Sequence, residues 1–140
     1  MPLNFWRKVL FDYLKNHRHY IIYLPLAVYW LILFVMTSLP TDMSISVGVS
    51  DKIEHFGAYG LLSVFLFLAL KFQNHYSLLN NYPATFTILI ASIYGIIDEL
   101  HQLYIPGRSA QFFDWFADFT GSVLAVIILK YLFKKFEGAK

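Results

Sequence analysis

Polar and apolar positions in this chain are sorted into long blocks. Four apolar runs stand out, over residues 21–39, about 55–72, about 83–103 and about 112–133. The first holds 19 residues without a charge, enough for a helix to cross the ~30 Å hydrocarbon core of a bilayer. Polar breaks separate the runs: residues 41–50 with Gly48, the stretch QNHYSLLNNY in which Asn80 or Asn81 is placed to cap the next helix, and residues 104–110 with Pro106-Gly107. The uncharged part of the fourth run, 119–129, is too short to span alone, so Asp114 and Asp118 belong to its first turns. The pattern predicts an all-α, polytopic membrane bundle of four transmembrane helices, with Pro25 tolerated near the start of the first.

Ahead of the first run, Leu3, Trp6, Leu10, Tyr13 and Leu14 fall near one helical face, with Arg7, Lys8, Asp12 and Lys15 more peripheral. That pattern predicts an amphipathic helix lying in the membrane interface. The run that follows exceeds the ~7–15 residues of a signal-peptide core, and SLPTDMS is not a small-residue cleavage site, so it reads as a retained span.

Composition strengthens this reading. The chain is 58% hydrophobic and 14% charged, against roughly 25% charged residues in a soluble domain. A net charge of +2, without a separate basic stripe, speaks against a nucleic-acid partner. The absence of cysteine excludes disulfides, thiolate nucleophiles and Cys-ligated metals. With the amino terminus cytoplasmic, Arg7, Lys8, Lys15, Arg18, Lys71, Lys130, Lys134, Lys135 and Lys140 fall inside, and only Lys52 and Arg108 outside. The positive-inside rule therefore predicts two cytoplasmic termini, with residues 1–20 as a cytoplasmic segment, 21–133 as the membrane domain and 134–140 as a basic tail. Seven of the nine acids, Asp42, Asp51, Glu54, Asp98, Glu99, Asp114 and Asp118, then lie toward the outer face.

Ionisable groups near membrane spans are expensive and usually functional. Asp51, His55, Tyr59 and Ser63 recur every four residues and share one stripe of the second helix. Ala91, Gly95, Glu99 and Gln102 form a second stripe, which turns Glu99 inward and leaves Asp98 toward another helix or the headgroups. Asp114, Asp118, Gly121 and Ala125 fall within an arc of about 60°, two carboxylates above a seam of small residues. His55 and Glu99 are candidates for proton transfer, with Asp114 and Asp118 as orienting acids. Lys52, Tyr59, Gln102 and Arg108 are candidates for binding. The bland readings are that His55 and Tyr59 fix helix packing, that Asp114 caps its helix, and that Arg108 pairs with Asp114 or Asp118 instead of holding an anion. No H-x-x-x-H or H-E-x-x-H spacing is present, so no metal is assigned, although His55, Glu99, Asp114 and Asp118 offer suitable atoms; the cofactor and the oligomeric state are left open.

The segments DKIEHFGAY at 51–59 and DELHQLYIPGRSAQFFDWFADFTG at 98–121 together resemble the VanZ-like family of small bacterial membrane proteins. The resemblance covers roughly residues 21–130 and maps onto Asp51, Lys52, His55, Tyr59, Glu99, Gln102, Pro106, Arg108, Asp114 and Gly121. Asp118 stands where the family usually has Asn, and Ala125 where it has a second Gly. The resemblance implies a setting in the bacterial cytoplasmic (inner) membrane, a role in the cell envelope and a link to glycopeptide (teicoplanin) susceptibility. The expected ligand is an anionic lipid-linked or cell-wall component, met from the lipid bilayer. Whether the site catalyses, only binds or assembles, or relays protons or ions stays open. Transport ranks last, because the inner halves hold little beyond Ser63, Thr85, Thr87, Ser92 and Ser122.

Overall fold

In the computed structural model, residues 3–43, 48 and 50–138 are described, and regular structure among them is entirely helical. Helix α1 (Leu3–Asn16) is followed by a π turn (His19–Tyr23) that runs into α2 (Leu24–Thr37). A 3₁₀ turn (Thr41–Met43) precedes α3 (Asp51–Phe72), the short α4 (Ser77–Asn81), α5 (Pro83–Gln102) and α6 (Phe112–Gly138). Four helices are long and apolar enough to cross a membrane: His19–Thr37, Asp51–Phe72, Pro83–Gln102 and Phe112–Phe136. The wide turn in the first adjoins Pro25, which has no N–H to donate into the preceding turn. Part of the loop expected over 41–50, the side chains of Leu3 and Arg7, and the end of the basic tail lie outside the described residues.

The bundle is polar inside and apolar outside. Leu31 and Ile32 of α2, Ile93, Ile96, Ile97 and Leu100 of α5, and Leu124, Ile127 and Ile128 of α6 are exposed. Ser63, Thr87, Asp98, Glu99, Gln102, Asp114, Asp118 and Ser122 are buried. In water this distribution would be unstable; in lipid it places every apolar face against hydrocarbon. The apolar part of the core, Leu33, Tyr59, Leu62, Leu66 and Ala91, is small and sits between α2, α3 and α5.

Close backbone approach holds α3 to α6, the most extensive helix pair. A Cβ on Gly121 would run into the carbonyl of Phe56, and one on Gly60 would touch the Gly121 carbonyl at 3.5 Å. The small-residue seam expected on the fourth span is therefore real at Gly121, and its partner across the interface, Gly60, has no counterpart in the sequence reading. Helix α2 is fastened by Tyr29, whose hydroxyl donates to the Ala58 carbonyl at 3.0 Å.

Two ends result. At the acidic end the α5–α6 turn is pinned to the end of α2: the Thr41 hydroxyl donates to the Gly107 carbonyl at 2.5 Å. Gly107 has φ +77°, and a Cβ there would lie 3.0 Å from Thr41 Oγ1, so only glycine suits the turn. At the basic end Phe11 of α1 packs on Phe72 and Phe133. Helix α1 forms as expected, but the residue that docks it is Phe11, while Trp6, Leu10 and Tyr13 stay exposed. Asn80 and Asn81 do not cap α5: Tyr82 occupies that position without a side-chain bond, and Asn80 Nδ2 donates to the Gln73 carbonyl. The short helix α4 absorbs both asparagines.

Candidate functional site

The three stripes converge at the acidic end. His55 comes from the second turn of α3, Glu99 from the last turns of α5, and Asp114 and Asp118 from the first turns of α6. Asp118 is fully buried, Asp114 is 2% exposed and Glu99 6%. His55 Nδ1 lies 2.9 Å from Asp118 Oδ1, so an imidazole N–H can donate to the carboxylate and hold the ring. Its other nitrogen, Nε2, is 3.9 Å from Asp51 Oδ1. An imidazole oriented by a buried acid, with its second nitrogen toward an opening, is an arrangement capable of proton transfer.

Gly95 makes the room for Asp118. A Cβ at that position would stand 3.1 Å from Asp118 Oδ2 and 3.2 Å from the Trp115 ring. The α5 stripe thus supplies Glu99 and the gap beside it, and Trp115 locks the pair of helices by donating from Nε1 to the Ser92 carbonyl at 3.1 Å.

Asp114 is held by Lys52, whose Nζ lies 2.6 Å from Oδ1. The acid stands in the first turn of α6, where the helix dipole favours it, and also carries an ion pair across to α3. Gln111 links these groups. Its backbone N–H donates to Glu99 Oε2 at 2.6 Å, and its side-chain oxygen accepts from Lys52 Nζ at 3.1 Å. Sequence reasoning missed Gln111; the available signal was its place just ahead of the apolar run that becomes α6.

Arg108 pairs with neither Asp114 nor Asp118. Its Nε donates to the Leu39 carbonyl at 3.2 Å and its Nη2 to the Met36 carbonyl at 3.3 Å, which satisfies carbonyls at the end of α2. The physical reason is the turn: Gly107 packs on Thr41, and this brings the guanidinium to α2 instead of α6. Asp98 faces α2 as one of the two expected alternatives, and Gln102 Nε2 approaches its Oδ2 at 3.5 Å. His101 lies at the same end, 3.0 Å from the Ser38 hydroxyl.

Two openings reach the cluster. A cavity of about 280 Å³ between α2 and α3 is lined by Asp51, His55, Tyr59, Asp98 and Arg108 among others. A second hollow of about 350 Å³ lies between the ends of α5 and α6, with Ile96, Leu100, Phe112 and Trp115 as apolar walls and Glu99 within it. Several buried polar atoms have no hydrogen-bonding partner among the described residues: Tyr59 Oη, Glu99 Oε1 and Asp118 Oδ2 at the cluster, and Ser63 Oγ and Thr87 Oγ1 deeper in the bundle. Such atoms are costly to bury without water or another partner.

No curated protein and no solved structure matches this chain in the comparisons made. A family model described as VanZ/LLP1 matches residues 1–134. The match covers the first three membrane helices, nearly all of the fourth and every residue of the acidic cluster, and the chain belongs to the VanZ/LLP1 family.

Proposed function

We propose that the acidic end faces outward from the bacterial cytoplasmic membrane, with both termini inside, and that its buried cluster binds and processes an anionic, lipid-linked envelope component. The observation that carries this reading is the pairing of a polar cavity at His55 and Asp98 with an apolar lateral hollow that ends on Glu99. The first offers charged groups for a phosphate head and the second apolar walls for a hydrocarbon chain, both at the acidic end. Arg108, on the cavity wall, is the group for the phosphate. His55, steered by Asp118, is the group for the proton, and Lys52 and Gln111 hold Asp114 and Glu99 in place.

The alternative of binding without turnover uses the same walls and predicts altered glycopeptide tolerance without a change in precursors. A relay through the membrane is less well supported, because the buried groups beneath the cluster, Ser63, Thr87 and Ser122, are hydroxyls that do not ionise near neutral pH.

Profiling of lipid-linked envelope precursors in cells carrying wild type, His55→Ala, Glu99→Gln or Asp118→Asn tests the reading. One and the same intermediate accumulating in all three variants is the expected result. Unchanged precursors together with lost teicoplanin tolerance would favour binding alone; unchanged precursors and unchanged tolerance would sink both.

A further inference from the structure

Four acids are buried at one end of the bundle: Asp98, Glu99, Asp114 and Asp118. The basic side chains that reach them are Lys52, on Asp114, and His55, on Asp118. Arg108 is turned to backbone carbonyls. Even with His55 protonated, Asp98 and Glu99 have no ion-pair partner among the described residues, which is unfavourable in a low-dielectric setting unless protons or a bound cation neutralise them.

The placement of ligand atoms favours a cation. One atom each from His55, Glu99 and Asp118 lies within 4.8 Å of the other two. Glu99 Oε1 and Asp118 Oδ2 are buried and bond to nothing among the described residues, so each carboxylate keeps an unused oxygen. Donors on opposite sides of an ion are roughly 4–5 Å apart when each sits at about 2.0–2.5 Å from it, so the cluster needs only small side-chain adjustments.

We infer that His55, Glu99 and Asp118 form a binding site for one divalent transition-metal ion, held by two carboxylates and an imidazole nitrogen, the ion taking the place of the proton that His55 Nδ1 otherwise donates to Asp118. The imidazole favours Zn²⁺ over Mg²⁺ and Ca²⁺, which prefer all-oxygen shells, and the two carboxylates let Mn²⁺ bind more weakly as a spectroscopic probe of the same site. A second grouping, Asp51, His55 and Asp114, meets the same distance limit. It is the weaker choice because Asp51 is exposed and Asp114 is already neutralised by Lys52 at 2.6 Å. A dication here would turn an acid-lined end into one that attracts phosphate, although the ion site does not depend on that ligand.

The test is a Mn²⁺ titration of the full-length, tag-free protein in lipid nanodiscs after stripping with EDTA, read by the electron spin resonance of free Mn²⁺. One ion retained per chain, displaced by Zn²⁺ and not by Mg²⁺, with an imidazole nitrogen coupling in the spin-echo signal, is the expected result. Asp118→Asn and Glu99→Gln weaken retention about tenfold or more, and Asp42→Asn, on the exposed turn before α3, leaves it unchanged. The spin-echo measurement on wild type needs no variant to fold. No retained Mn²⁺, no nitrogen coupling, or retention equal in all variants would overturn the site. Because no lipid-linked precursor takes part, such a failure leaves the ligand reading standing, and a failed precursor profile leaves the ion site standing.

Discussion

The two ends of this bundle carry opposite charges and treat them in opposite ways. At the acidic end Asp98, Glu99, Asp114 and Asp118 are all buried and converge on His55 and Lys52. At the basic end Lys130 and Lys134 are exposed around a hollow of about 660 Å³, while Phe67, Phe72 and Phe133 do the packing. Side-chain length accounts for the difference. A lysine reaches water along its four-carbon stem and leaves only methylenes among apolar neighbours; Lys71 stretches over the Phe133 ring at 5.9 Å in this manner. An aspartate on an inward stripe has no stem and must find partners where it stands. The lysines at the basic end therefore stay solvated, and the acids at the other end pair within the bundle.

Substitutions at the two ends should diverge in the same sense. The largest effect is expected at Gly121, where even Ala places a Cβ against the Phe56 carbonyl. Because the obstacle is backbone, Gly121→Ala should destabilise the bundle by about 3 kcal/mol, the upper part of the overpacking range, measured by unfolding in detergent. Next is Lys52→Ala, which strips the buried Asp114 of its cation. Lys52 is 43% exposed, so solvent screens part of the pair and a loss of about 1–2 kcal/mol is expected, with partial recovery in Lys52→Ala/Asp114→Asn. A double variant no more stable than the single one would deny that the pair holds the acidic end together.

Smaller still is Trp115→Phe, which removes the bond to the Ser92 carbonyl and should cost about 1 kcal/mol in the same unfolding measurement. At the other end Lys130→Gln and Lys134→Gln should each change stability by less than about 0.5 kcal/mol, since both side chains are solvated. A large loss there would erase the contrast between the ends. Its direction across the membrane is checked separately: an impermeant thiol reagent added to intact cells should label Ser109→Cys and spare Ser77→Cys, and the reverse pattern would invert the proposed orientation.

Much of this was legible before any coordinates. Four apolar runs became four spanning helices, because length and hydropathy suffice to select helices where lipid leaves backbone groups no other partners. The stripe of Ala91, Gly95, Glu99 and Gln102 is buried throughout, and Asp114, Asp118 and Gly121 are buried together, as a period of 3.6 residues dictates. For α1 periodicity marked the exposed apolar face of Trp6, Leu10 and Tyr13 expected at the membrane interface, but not Phe11, which docks the helix on Phe72 and Phe133. It was silent on Gln111, which acts through its backbone N–H as much as its side chain.

By itself the sequence determined the solvent of this protein, its helices and the inward face of each, because hydrophobicity and helical period are local properties that need no partner to be read. The family followed from the same stretch, 98–121, with 51–59 beside it. Only the tertiary structure decided who pairs with whom. Lys52 rather than Arg108 meets Asp114, since the Gly107 turn packs on Thr41 and delivers the guanidinium to the end of α2. His55 and Asp118, 63 residues apart, meet because glycines at 60 and 121 bring their helices into backbone contact. Such pairings depend on distances between helices, which no single helical stripe contains.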